Sequence, residues 1–242
     1  MNRMDVAMFL SNFSKAFGNK VDMPIAFYYS SEPLSSTKKI NGCFFKGLEP
    51  LKSGNVVTLS REVIGCMGGK FYTGFSERPE HIPKFVSLKE RYKQTPEMVT
   101  EFIDNIGLEE ATYPYLNLIP VDKLDSFDDV EGIIFFATPD VLSGLATWVY
   151  FDNNADDAIV AKFGSGCSAT ISESVVENRR GGRRTFLGLF DPSVRPYVGE
   201  YTLSLTIPMS RFKEMYVTMP SCSLFDTHAW GKVRSRINGA AV

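Results

Sequence analysis

Long hydrophobic runs are missing from this chain of 242 residues. No apolar stretch approaches the roughly 18 residues that a bilayer crossing requires, so no membrane association is expected. Residues 1–18 are broken by Asp5, Asn12 and Lys15 and do not read as a signal peptide. An excess of one charge is missing too. Lys and Arg total 26 against 28 Asp and Glu, and the net charge of -2 argues against a nucleic-acid partner bound through bulk charge. Histidine is scarce, with only His81 and His228, and neither stands in an H-E-x-x-H pattern. Cys43, Cys66, Cys167 and Cys222 are widely spaced with no C-x-x-C pair, which argues against a disulfide framework and against short-range zinc spacing. The expected compartment is the cytoplasm. No G-x-S-x-G, S-x-x-K or Walker sequence occurs, and a Rossmann fingerprint fails on spacing.

What is present is ample material for a core: 44% hydrophobic residues, 13% aromatics and 22% charged residues, the balance of an ordinary globular protein. Three landmarks recur in the same order. The run from Pro24 to Ser30 resembles that from Gly132 to Thr138, and each is followed by a proline, Pro33 or Pro139. Ile64 to Gly69 resembles Ser165 to Ala169 around a Gly-Cys pair. Leu116 to Pro120 resembles Leu205 to Pro208. The order points to an internal duplication, with halves at 23–127 and 131–216 and a tail at 217–242, all within a single domain at 1–242.

Local signals fill in the plan. Met4, Met8, Phe9, Phe13 and Phe17 sit at helical spacing over residues 3–17, and Gly18 stops that run. Strands are expected at 24–29 and 55–60, with a short helix at 66–75. Thr95, Pro96 and Glu97 open a helix to Ile106, combining a capping hydroxyl, a proline and an acid in the first turn. The second half reads as strand 133–137, helix 139–150, strand 158–163, helix 167–177, strands 184–190 and 200–207, and helix 209–216. The fold class is α+β (or α/β): two intimately packed strand-helix halves. The tail carries Trp230, Val233 and Ile237 on one side and reads as a docking helix or an oligomer contact.

Two words carry chemistry. Cys66 and Cys167 each follow glycine and open a helical stretch, where backbone N–H groups favour a thiolate or an anion. Gly68 and Gly69 allow a ligand to come close to the backbone. If the halves face each other, Cys66 and Cys167 share one pocket, with Cys43 as a third member. Such a set suits a metal or iron-sulfur centre, or thiol chemistry with Cys66 as nucleophile. The second word is Arg179-Arg180-Gly-Gly-Arg183-Arg184, a basic loop in which Arg183 and Arg184 would clamp an anionic group.

An ordered set of short words resembles domain of unknown function 169, the archaeal conserved region family. The set comprises Cys43, the turn from Gly65 to Gly69 with Gly74 and Phe75, and Ala137 to Pro139. It continues through Gly166 to Ala169, an arginine within 179–184, and Gly199-Glu200 leading to Ile207-Pro208. The resemblance runs from about residue 8 to residue 216 and implies a cytoplasmic protein with no assigned reaction. This chain departs from the family pattern in doubling the arginines. The leading expectation is a protein that binds a metal or an anionic small ligand in a cysteine-lined cleft between its halves. A thiol-dependent enzyme acting on an anionic small molecule, and a non-catalytic interaction module, stay open beside it, as does the oligomeric state.

Overall fold

The computed structural model describes residues 5–240. Among these residues the strands are β1 (Ile25–Ser30), β2 (Val57–Leu59), β3 (Tyr115–Pro120), β4 (Gly132–Ala137), β5 (Ile159–Val160), β6 (Thr185–Gly188) and β7 (Leu203–Pro208). The helices are α1 (Val6–Phe17), α2 (Met67–Tyr72), α3 (Ile82–Lys84), α4 (Pro96–Asp104), α5 (Pro139–Tyr150), α6 (Glu173–Arg179), α7 (Met209–Thr218) and α8 (His228–Ile237). The strands form one mixed sheet in the order β2-β3-β1-β4-β7-β6-β5. Every pairing is antiparallel except β5 with β6. The fold is α+β, as expected.

The sheet is apolar on both faces because both are covered. β4 reads GIIFFA without polar alternation, as a strand covered on both faces should. Successive residues point to opposite faces. Ala26, Ile133, Phe135, Leu205 and Ile207 enter one core with α1, α5, α7 and α8. Phe27, Leu118 and Ile134 enter the other, with Phe44, Ile64, Ile171 and Val175. Both cores draw on both halves of the chain. β3 lies beside β1 as β7 lies beside β4, and β2 lies beside β3 as β6 lies beside β7.

α1 forms because Asp5 caps it, its carboxylate accepting from the N–H groups of Ala7 at 2.8 Å and Met8 at 3.2 Å. Met4 lies outside the described residues. Phe9, Phe13 and Phe17 all enter the first core, and the ring of Phe17 meets that of Trp230 edge-on at 5.4 Å. Trp230 Nε1 donates to the Ala16 carbonyl at 2.7 Å, so the apolar side of α8 is docked inside this chain. Gly144 in α5 permits it, since a Cβ there would overlap the Trp230 and Phe17 rings.

Several expected elements are shorter than their patterns suggested. The expected strand at 158–163 is only Ile159–Val160, and the expected helix at 167–177 begins as a π-helical turn, Ser168–Ser172, before α6. β6 ends where Leu189 takes φ +72°. Residues 44–53 form 3₁₀ turns, and a second π-helical turn occupies Phe85–Lys89.

Candidate functional site

Above the second core lies a cavity of about 490 Å³ whose walls come from residues 43–102 and 163–197. Cys43, Cys66 and Cys167 all line it, together with Gly68 and Gly69. Three close backbone approaches bring the thiols there. Ile40 N–H donates to the Val63 carbonyl at 2.8 Å, and Gly65 abuts the Ile40 carbonyl so tightly that a Cβ would overlap it. The segments before Cys43 and Cys66 therefore lie side by side. Gly166 rests on the Phe45 ring, which seats the Cys167 turn against the Cys43 turn. Cys66 is the N-cap residue of α2, and its sulfur folds back over Gly69, where a Cβ would sit 2.7 Å from Sγ.

The thiols differ in environment. Cys167 is 5% exposed, and burial above all, then the proximity of Cys66 and Cys43, pushes its pKa well up. Burial likewise raises Cys43, against a lowering by the Phe45 backbone N–H. Both are neutral thiols at neutral pH and serve as small apolar wall groups. Cys66 is half-buried. Cys222 lies in the other core, away from the cavity.

Aromatic rings are prominent in the remaining wall: Phe45, Tyr72, Phe85 and Phe102, with Tyr92 and Phe163 meeting edge-on at 6.0 Å. Burial, then the nearby Cys167 and acids, raises the Tyr72 phenol. Apart from thiols and phenols, the ionisable lining groups are His81, Glu90, Lys93 and Asp191. Asp191 accepts from Ser193 N–H at 2.8 Å and Ser193 Oγ at 2.9 Å. Lys93 Nζ stands 5.5 Å from the Phe102 ring centroid.

Sequence reasoning missed Glu90, Tyr92, Lys93 and Asp191. Asp191-Pro-Ser193 carried a readable turn signal, an acid two residues before a serine. Residues 90–94 carried none, since a charged run in a cavity wall looks like one on a solvated face.

The basic loop lies elsewhere. Arg184 holds Glu177 through Nε at 3.1 Å and Nη2 at 2.7 Å, and Arg183 Nε meets Glu214 at 2.7 Å. Neither arginine lines the cavity. Their charges complete pairs with carboxylates on α6 and α7, so an anion grip in the cleft has to come from another group. The three cysteines share a cavity wall, yet among the described residues no group of three or more His, Cys, Asp or Glu side chains is arranged to hold a metal ion. No helix among these residues is long and apolar enough to cross a membrane.

The chain matches no curated protein and no solved structure. A family-level comparison matches residues 19–217 to DUF169, described as uncharacterised ArCR. That span carries both halves of the sheet and every residue of the cleft, and the chain therefore belongs to the DUF169 family.

Proposed function

We propose that this protein binds a small organic molecule with an apolar body in the cysteine-lined cleft. The observation that carries the reading is the cavity itself. Its 490 Å³ falls within the ~300–1,000 Å³ of small-molecule sites, and its wall is aromatic with a few convergent polar groups. Protonated Cys43 and Cys167 suit that wall better than a thiolate cluster. A covalent step in the same cleft falls to Cys66, half-buried like Cys43 but placed at the N-cap of the α-helix α2 rather than of a 3₁₀ turn.

Gly68 supplies the test. Apart from its own helix backbone and chain neighbours, a Cβ there meets no atom of the described residues within 4 Å, so Gly68→Phe introduces a ring into open space at the cavity wall. Phenylnaphthylamine, an uncharged dye that brightens in apolar surroundings, should bind the wild type with saturation. Gly68→Phe should weaken it about tenfold or more while melting at the wild-type temperature. Equal binding by both proteins, or saturable binding by neither, overturns the reading.

A further inference from the structure

The cleft holds opposite charges that the chain does not neutralise. Lys93 Nζ is placed over two rings, 5.5 Å from the Phe102 centroid and 5.9 Å from that of Phe163. No carboxylate comes within ion-pair distance of it among the described residues. Asp191 is the converse. It is 7% exposed, its oxygens accept from the backbone and hydroxyl of Ser193, and no Lys, Arg or His side chain pairs with it among the described residues. Glu90 lies near it: burial, then the charge of Asp191, pushes the Glu90 carboxyl up, with no cation offsetting either effect.

Charge in an aromatic cavity is disfavoured until a counter-charge reaches it. No ion pair joins Lys93 to either carboxylate among the described residues, so one apolar cavity carries a cation and two acids that do not compensate each other. A ligand of single charge would compensate one pole and leave the other bare. We infer that the cleft takes a zwitterionic organic molecule, its cationic nitrogen against Asp191 and Glu90, its acidic group against Lys93, and its apolar body against the aromatic walls. This rests on the cleft being a small-molecule site, as proposed above.

Three probes sharing an indole body separate the poles: tryptophan carries both charges, tryptamine only the amine, and indolepropionate only the acid. Calorimetric titration should show tryptophan binding about tenfold or more tightly than either, the size expected of one additional charge-assisted contact. Lys93→Met should bring tryptophan down to the level of tryptamine while leaving tryptamine unchanged. Asp191→Asn, which keeps an acceptor for Ser193, should bring it down to indolepropionate. Glu90→Gln, at a residue whose side chain makes no ion pair among the described residues, should move affinity the same way and stands in if Asp191→Asn does not fold. The inference is overturned if tryptamine or indolepropionate equals tryptophan on the wild type, or if the variants weaken all three probes alike. Saturable binding of phenylnaphthylamine with no indole bound also overturns it and leaves the cleft reading standing; failure of the dye as well removes both.

Discussion

The backbone of Gly166 lies against the ring of Phe45, and through that contact the turn bearing Cys167 is seated on the turn bearing Cys43. A Cβ at Gly166 would stand 2.9 Å from Phe45 Cε2 and 3.3 Å from Val194 Cγ1. Both neighbours are buried, Phe45 at 3% exposure, and have little room to yield.

Gly166→Ala should therefore destabilise the fold by about 1–3 kcal/mol, the usual effect of overpacking. It should also part the two turns. The checks are a denaturant melt and the labelling rate of Cys167 under native conditions. A wild-type melt with unchanged labelling would mean that this contact does not hold the cleft together.

Alkaline pH should weaken the fold through the same thiols. Burial raises Cys167, Cys43 and Cys222 above the ordinary value of 9.0, so the folded chain keeps their protons where the unfolded chain releases them. Stability is then complete below pH 9.0 and falls as pH rises through the folded values, by up to about 1.4 kcal/mol per thiol per pH unit. Tyr29 and Tyr72, also raised by burial, steepen the fall above their ordinary 10.0. Melting temperature followed from pH 8 to pH 11 should decline, and Cys167→Ala should lessen the slope. An unchanged slope in that variant would refute the assignment to Cys167.

The Arg184–Glu177 pair gives a prediction of opposite sign. Burial alone would raise Glu177, but the Arg184 hydrogen bonds more than reverse this and its pKa is lowered. That contribution is present above the ordinary 4.5 and is lost as pH falls through the folded value. Arg184→Met should cost about 2–3 kcal/mol, less than the 3–5 of a fully buried pair because Arg184 is 37% exposed. Dye binding in the cleft should not change, since neither residue lines it. Lost dye binding in a folded Arg184→Met protein would return the arginine loop to the site.

Much of the architecture was legible because it follows from local patterns. The apolar runs of β1 and β4 read as strands from β-branched and aromatic content. Thr95-Pro96 marked the start of α4 to the residue, and Pro139 that of α5. The paired Gly-Cys words marked Cys66 and Cys167 as candidate pocket residues, and both line one cavity. Residues 82–89 gave no such signal. Their short α and π-helical turns are too brief for a 3.6-residue period to establish itself, and they pack into a small satellite cluster with Val99 and Ile103.

The sequence by itself marked α1, β1, β4, α4 and α5, because those elements depend on neighbours one to four positions away. It also singled out three of the four cysteines. Only the tertiary structure decided the electrostatics. Arg183 and Arg184 left the site because Glu214 and Glu177 were nearer, while Lys93 and Asp191 entered it with no ion-pair partner among the described residues. Whether a charge is solvated, paired or stranded depends on which distant segment folds against it, and no local pattern records that distance.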